Sequence, residues 1–590
     1  MVDYDKILEH VGELGTHQKK MCFFVYLPMM TMGMHTMAMV FLAATPAHRC
    51  RAPEGAVLAT RYNWSEPELL NMTIPWTEDD DGNPVRSSCE RYDLKLPSNG
   101  DLNDTFDVMS SNLTTKPCDA GWHYDQSQYK SSITMESDIV CGNKYLAKMA
   151  QSIYMVGFLV GSLVFGDISD RFGRKVVFFA VVAMQCFCGI ACSFAHNYIA
   201  FVVLRFFIGA AGVGAYVTSF VLVSEVVGPS KRTLVGTLEY CCFVLGYIIM
   251  GGIAYFVRTW SMLQLIISLP GVVWLPLWFL VTESPRWLLA KGRTDEARAI
   301  VEKMAEKNGV DFPEALWNDM LKEEDEPDPE EPEKPAYFYS VRDLVRTPNM
   351  AKKSVIIFIN WAVITMVYYG LSLNTSSLGG DDYVNFTVSG LVEFPALAVS
   401  MFLVDRWGRR PAHCLFMIGG GLACISVLFV PKGYVWVATV LAMTGKFGIS
   451  GSFNVIYIWS GELYPTVIRN LGMGVASMWA RVGGIVSPFI ALSMDLWGPL
   501  PYIIFGGLAL VAGVLCLILP ETLNFPLAQT LEEAEAFGKG GSFCCPTSSV
   551  NGPEDDGKAQ EMIPAVSNHD PPREDEAENS APNGNGPTMV

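Results

Sequence analysis

The chain has 590 residues, 50% of them hydrophobic, 12% aromatic and only 17% charged, with a mean hydropathy of +0.26; soluble domains carry about 25% charged residues. Its apolar residues form long runs, at 176–194, 434–459 and 502–519 among others, instead of alternating with polar ones, which excludes a soluble enzyme. Much of the formal net charge of −18 sits in three polar segments, around 78–81, at 323–333 and after 538; no basic stripe exists, which excludes a nucleic-acid surface.

Residues 1–20 are polar, and the first apolar run, 21–44, is too long for a signal peptide and is followed by Thr45-Pro46, so it reads as a retained helix. Residues 45–145 form a polar segment with four cysteines, Cys50, Cys89, Cys118 and Cys141, and four sequons at Asn63, Asn71, Asn103 and Asn112. Sequons and paired cysteines are used in the oxidising extracellular compartment. The spacing leaves three disulfide pairings open. Five further runs follow, at 146–166, 176–195, 198–223, 234–257 and 261–281, then a charged stretch, 282–352, whose 323–335 portion is acidic and proline-rich. Six more runs occupy 353–374, 385–404, 412–430, 434–459, 469–494 and 500–519, and the remainder, 520–590, ends in a polar tail rich in Asn, Pro, Glu and Gly that is expected to be disordered. Each run can cross a hydrocarbon core of about 30 Å as a helix, and lipid satisfies no exposed backbone group, so twelve helical spans are expected. The other cysteines, such as Cys186, Cys188, Cys241 and Cys242, fall in spans without any metal-ligand spacing.

Lys and Arg cluster after spans 2, 4, 8 and 10 (Arg171, Arg174 and Lys175; Lys231 and Arg232; Arg406, Arg409 and Arg410; Arg469), whereas the opposite loops hold little beyond Arg258 and Lys432. By the positive-inside rule both termini are expected to be cytoplasmic and 45–145 extracellular. The same loops betray a duplication. Asp170-Arg171-Phe172-Gly173-Arg174-Lys175 after span 2 is echoed by Asp405-Arg406-Trp407-Gly408-Arg409-Arg410 after span 8; Glu225 precedes Arg232 by seven residues as Glu462 precedes Arg469; and Glu283-Ser284-Pro285-Arg286 after span 6 has its counterpart in Pro520-Glu521-Thr522 after span 12. Two parallel six-helix repeats around a central site are the plan of alternating-access transporters. The charged loops read as a latch: Asp170 and Asp405 to pair with arginines or cap a helix end, Gly173 and Gly408 to turn tightly, and Glu225, Glu462, Glu283 and Glu521 to complete networks that form and break as the halves rock.

The doubled loop resembles the signature of the major facilitator superfamily. Cys118-Asp119-Ala120-Gly121-Trp122-His123-Tyr124-Asp125, Glu136-Ser137-Asp138-Ile139-Val140-Cys141, Glu283-Ser284-Pro285-Arg286-Trp287-Leu288-Leu289 and Glu462-Leu463-Tyr464-Pro465-Thr466-Val467-Ile468-Arg469-Asn470 resemble the organic cation, organic anion and carnitine transporters. The similarity spans roughly 1–530. Asp3-Tyr4-Asp5, Ala44-Thr45-Pro46-Ala47-His48-Arg49-Cys50 and Tyr369-Gly370-Leu371-Ser372-Leu373 look closest to the carnitine/organic-cation (novel-type) branch. The resemblance implies an all-α membrane protein of the major facilitator fold, with twelve helices in two halves and a large glycosylated, disulfide-bonded loop between helices 1 and 2.

Charges inside spans are costly and therefore candidate site residues. Arg481 in span 11 could grip a carboxylate with two prongs; the family's cation-selective branch has aspartate at the matching position, its anion and carnitine branches arginine, which argues against a purely cationic substrate. Glu239 in span 5 is a candidate opposite charge, for an amine or for Arg481 itself. Lys446 in span 10 and Glu393 in span 8 are further charges, and Lys446 shares a face with Tyr457, eleven residues on, if Gly448 and Gly451 leave the helix unbroken. Trp361 and Tyr368 share a face of span 7, while Tyr216 and Tyr457 match family positions lining the central cavity. Aromatic faces hold ammonium groups at about 0.5–2 kcal/mol each, so these residues with Arg481 would form a zwitterion cavity.

Sodium-coupled carnitine-type relatives carry asparagines in spans 1 and 4; this chain has Met32 and Ala215 there. Neither offers a side-chain oxygen ligand, which puts sodium coupling in doubt; facilitated transport or exchange is the equal expectation. No Walker loop, metal cluster or catalytic triad is present, so no cofactor and no enzymatic activity are expected. His35 and His413 could titrate near neutrality, though lone histidines in spans are more often structural. Thr588-Met589-Val590 fits a PDZ-domain ligand that adds a strand to a sheet edge. The expectation is a plasma-membrane glycoprotein moving small organic cations or zwitterions, carnitine- or betaine-like, by alternating access. The rivals are an organic anion exchanger built on Arg481 and Lys446, and a receptor using the glycosylated loop, for which the doubled motifs have no purpose.

Overall fold

The computed structural model describes residues 4–78, 83–93, 114–325, 339–431 and 433–538. The acidic 326–333, Lys432, Asn103, Asn112 and the tail with its terminal Thr588-Met589-Val590 lie outside the described residues.

Helices account for almost every apolar run. The first half comprises α1 (Thr16–Leu42), α2 (Tyr145–Phe172), α3 (Arg174–Ser193), α4 (Tyr198–Ser224), α5 (Arg232–Phe256) and α6 (Trp260–Phe279). The second comprises α7 (Pro348–Leu373), α8 (Asp382–Trp407), α9 (Arg409–Ser426), α10 (Val435–Leu463), α11 (Arg469–Leu492) and α12 (Leu500–Cys516). Among the described residues ten helices are long and apolar enough to cross a membrane. Of the other two, α12 is short, and α10 has 29 residues but is diluted by Lys446 and a polar middle.

Proline sets the departures from straight helix. In α8 the helix breaks between Leu391 and Glu393, where Pro395 has no N–H to give the Leu391 carbonyl. In α6 regular α-helix gives way to a tighter 3-10 turn at Leu275–Phe279, around Pro276.

Lipid supplies no hydrophobic drive between helices, so close packing depends on small residues. The duplication is visible in how this is done. Gly246 lies fourteen residues after Arg232, and Gly483 fourteen after Arg469. A Cβ on Gly246 would sit 2.1 Å from the Met30 carbonyl oxygen of α1, and one on Gly483 2.0 Å from the Ala362 carbonyl oxygen of α7. Both halves therefore press α5 or α11 against α1 or α7 by the same backbone contact.

One face of the bundle carries the doubled charged loops and is called here the motif face; the other carries the 45–145 segment, the disulfide face. On the motif face the helix Tyr4–Val11 packs through Ile7, Leu8 and Val11 onto helices Thr294–Asn308 and Glu314–Asp325. Asn308 ties it down, donating to the Val11 carbonyl at 3.0 Å and to Gln18 at 3.0 Å. On the disulfide face, His48–Cys50 pairs antiparallel with Trp122–Tyr124, and Glu90–Tyr92 with Thr115–Pro117. The cystines are Cys50–Cys118 and Cys89–Cys141, one of the three pairings left open above. Arg91, 1% exposed, forms the charged centre of this segment. It donates to Glu54 at 2.6 Å and to Asp119 at 2.7 Å, and holds the Glu54 carboxyl below its ordinary range. Asn63 and Asn71 are exposed, Asn71 accepting from Arg86 at 2.7 Å.

Candidate functional site

The doubled loops build two corresponding corners. Gly173 and Gly408 have φ of 109° and 98°, which favours glycine. Each turn brings a carboxylate beneath the N-terminus of the next helix, where free N–H groups and the helix dipole welcome it. Glu283 accepts from the Lys175 amide at 3.0 Å, and Glu521 from the Arg409 and Arg410 amides at 2.9 Å each. A Cβ on Gly173 or Gly408 would lie 2.6 or 2.7 Å from those carboxylate oxygens.

The guanidinium partners differ between the halves. Arg174 pairs with Asp170 and, at 3.2 Å, with Glu225. Arg409 engages Glu462 in a fork at 2.8 and 2.9 Å. Asp405, expected to pair with an arginine, is exposed and has no ion pair among the described residues, because Glu462 already occupies the Arg409 fork. Arg469 donates to the Tyr464 carbonyl at 3.4 Å and to Thr466, not to Glu462. Its counterpart Arg232 reaches Asp5 at 2.7 Å, and Arg286 pairs with the same carboxylate. Arg171 pairs with Asp167 and Arg406 lies over the Phe402 ring, both at the surface. The latch is thus two separate knots, each inside one half.

Between the halves a cavity of about 460 Å³ runs inward from Arg232 and Thr233 on the motif face. It meets a chamber of about 100 Å³ at a shared wall of Tyr216, Tyr240, Phe453, Tyr457 and Arg481. The wall keeps the repeat: Tyr216 stands nine residues before Glu225 and Phe453 nine before Glu462, while Phe220 and Tyr457 each stand five before. Helices α4 and α10 thus present matching aromatic pairs across the space. Tyr368 and Tyr369 of α7 and Met32 of α1 complete the chamber. Among the described residues no Asp or Glu lines either cavity.

Arg481 faces both spaces. It is half-buried and donates only to Ser477 of its own helix, to the carbonyl oxygen at 2.8 Å and to the hydroxyl; no carboxylate stands within ion-pair distance among the described residues. Glu239 is therefore not its counter-ion. That carboxylate is fully buried between α4 and α5, accepts from Ser219, and leaves its second oxygen without a partner.

Lys446 and Glu393 spend their charges on each other at 2.8 Å, 1% and 0% exposed. The break in α8 puts Glu393 where Tyr368 and Tyr240 donate to it at 2.9 and 2.5 Å, and the ammonium lies 3.4 Å from the Tyr368 ring centre. Buried charges cost several kcal/mol each unless paired and hydrogen-bonded; here the pair in return fixes two tyrosines of the chamber wall. Helix α10 runs unbroken through Gly448 and Gly451, so Lys446 and Tyr457 do share a face, but only Tyr457 reaches the cavity. Trp361 is also set back, 1% exposed, donating to Ser460 at 2.9 Å and buttressing Tyr457 edge-on at 4.4 Å. His35 and His413 are fully buried, His413 against Asn360.

Two charges inside spans escape the reading of the sequence, Lys148 near the start of α2 and, deeper in the bundle, Arg205. Arg205 of α4, 0% exposed, lies 4.3 Å from the Tyr154 ring centre and gives one hydrogen bond, to the His35 carbonyl. Its presence inside the 198–223 run was the available signal.

Lined by aromatic faces and reached from the motif face, with Arg481 in its wall free of a carboxylate among the described residues, the bundle has the layout of an alternating-access carrier. Residues 106–535 match the family described as Sugar (and other) transporter. The structure is similar to the xylose transporter XylE from E. coli, captured partially occluded and inward open, at a TM-score of 0.56 and 14% identity over 86% of this chain and 99% of that one; this likeness shows the fold. The chain is a multi-pass membrane transporter of the major facilitator superfamily and not an enzyme.

Nearer relatives narrow the family. The chain is 39% identical over 541 residues to the organic cation transporter protein of Drosophila melanogaster, covering 91% of this chain and 95% of the relative. It is 36% identical to the human organic cation/carnitine transporter 2, covering 90% and 94%. The chain belongs to the organic cation/carnitine transporter family.

Proposed function

We propose that this protein carries small organic cations and zwitterions, of the carnitine or betaine kind, across the plasma membrane by alternating access, with both termini cytoplasmic and the 45–145 segment outside and glycosylated. One observation carries the reading. Arg481, with no carboxylate to neutralise it, stands beside the Tyr216, Tyr240, Phe453 and Tyr457 wall. Ring faces attract a quaternary or protonated amine at about 0.5–2 kcal/mol each, and the guanidinium offers a carboxylate two parallel donors. The names of the relatives, organic cation and organic cation/carnitine transporters, fit this chemistry. Lys446, bound to Glu393, is not available as the second cation that an anion exchanger would use. Arg174 and Arg409, with their carboxylates, act as the knots that stiffen each half while it rocks, and the terminal Thr588-Met589-Val590 is offered to a PDZ domain. Met32 at the chamber and Ala215 offer sodium no side-chain oxygen, so the transport is facilitated or an exchange.

The test is radiolabelled uptake of carnitine, tetraethylammonium and a dicarboxylate, with and without sodium, by wild type and Arg481→Gln. Uptake of carnitine and tetraethylammonium independent of sodium is expected. Arg481→Gln should lower carnitine uptake at least tenfold while sparing tetraethylammonium. Uptake of the dicarboxylate alone would contradict the proposal.

A further inference from the structure

A third, smaller cavity lies on the far side of Tyr369. It measures about 50 Å³ and is walled by α1, α2, α7 and α11, with Met39, Val40, Leu373 and Pro488 as apolar surface and Lys148 and Gln151 as its principal polar groups. Tyr369 lines both this space and the Arg481 chamber, so the ring is the partition between them.

Gln151 is the unusual residue. It is 3% exposed, yet neither its amide nitrogen nor its amide oxygen has a partner. Leaving a buried polar group unpaired is costly, so such a group points to a guest that satisfies it. Lys148 stands three residues earlier, on the same face of α2, and lines the same cavity. Asp495, the carboxylate whose charge acts on Lys148 through space, is itself engaged by Lys144 at 3.2 Å. A cavity needs only about 10–15 Å³ of probe volume to hold one water; this one has room for a carboxylate group. An ammonium and an amide N–H₂ converging on a small apolar-walled space suit one oxyanion.

Its position gives the site a purpose. Ser152, the next residue along α2, donates to the Ile485 carbonyl of α11 at 2.8 Å, and Lys144 reaches Asp495 beyond α11. These contacts close the seam between the halves on the disulfide face, the seam that parts when the carrier opens that way. We infer that Lys148 and Gln151 form an outer carboxylate subsite, which holds the anionic end of a zwitterionic substrate before Tyr369 turns aside and Arg481 takes it over. This rests on the transport reading above and deepens it: the chain selects for zwitterions at the disulfide-face mouth as well as in the chamber.

The test compares uptake of carnitine with that of choline, a trimethylammonium without the carboxylate, in wild type, Lys148→Met, Gln151→Leu and Lys148→Arg, each normalised to surface abundance. The subsite predicts that Lys148→Met and Gln151→Leu raise the ratio of the carnitine KM to the choline KM at least fivefold, while Lys148→Arg leaves it within twofold. Should Lys148→Met fail to reach the surface, Gln151→Leu decides alone. An unchanged ratio overturns the subsite and spares the transport reading, as does a wild type that carries choline but not carnitine. A wild type that carries neither overturns both.

Discussion

The two halves share backbone devices and differ in side-chain chemistry. Gly173 and Gly408, the helix-capping Glu283 and Glu521, and the packing glycines Gly246 and Gly483 are equivalent in position and in contact. The charges buried within the bundle are not. In the second half Lys446 and Glu393 neutralise each other; in the first, Arg205 rests on a tyrosine ring and a carbonyl, and Glu239 on one serine. Duplication preserved what helix geometry demands, a turn, a cap and a close approach, and left the interior free to specialise. The second half supplies the cation of the chamber, Arg481, and the ion pair that fixes its wall; the first supplies rings and methionines.

The comparison breaks most readily at those buried charges. Lys446→Met should cost about 3–5 kcal/mol, since Glu393 is left charged and buried, and adding Glu393→Gln should return most of it. Arg205→Met strands no carboxylate and should cost less than about 2 kcal/mol, the worth of its ring contact. Melting temperatures of the purified variants in detergent check both, and equal losses would erase the distinction. Next in size are the knots. Glu462→Gln removes the one carboxylate that Arg409 has among the described residues, whereas Glu225→Gln leaves Arg174 with Asp170, so the first should lower stability by about 1–3 kcal/mol and the second by less than about 1. The same thermal assay ranks them, and the reverse order would contradict the assignment.

Two smaller effects sharpen the picture. Asp5 serves Arg232 and Arg286 by a device the second half lacks, closing its own face instead with Glu535 beneath the Thr347, Asn349 and Met350 N-terminus of α7. Asp5→Asn should cost about 0.5–1 kcal/mol and speed proteolysis at the N-terminal segment; unaltered cleavage would show the clip to be idle. In the disulfide-face segment, Arg91 depresses the Glu54 carboxyl. A depressed acid lends stability above its unfolded value, about pH 4.3, and loses it as pH falls through the folded one. Epitope binding to this segment should therefore weaken below about pH 4 in wild type, and should not show that step in Glu54→Gln.

The helical plan and the repeat were legible because both are written locally, in run length and in loops whose charges recur in order. What escaped was written across helices. The cystine pairing depends on strands at His48–Cys50 and Trp122–Tyr124 meeting. Lys446 and Glu393 stand on different helices, and only the break at Val392 turns the carboxylate inward. Asp405 looked equivalent to Asp170 by position, but partner choice followed the geometry of Glu462. Trp361 had the right face but stops one layer short, behind Tyr457. Arg205 was as visible as Lys446, and Asp5, read only within the Asp3-Tyr4-Asp5 resemblance, gave no sign of its role because its partners Arg232 and Arg286 lie 227 and 281 residues further along the chain.

The central claim is that the vestibule leading from Arg232 to the Arg481 chamber is the route of transport. Thr237 lines that vestibule, and a cysteine there, in a background without the other free thiols, reports on it directly. A membrane-impermeant maleimide should label Thr237→Cys from the motif face in inverted vesicles, and transported carnitine or tetraethylammonium should slow the labelling at least threefold. Labelling that no transported substrate slows, in vesicles that still take that substrate up, would contradict it.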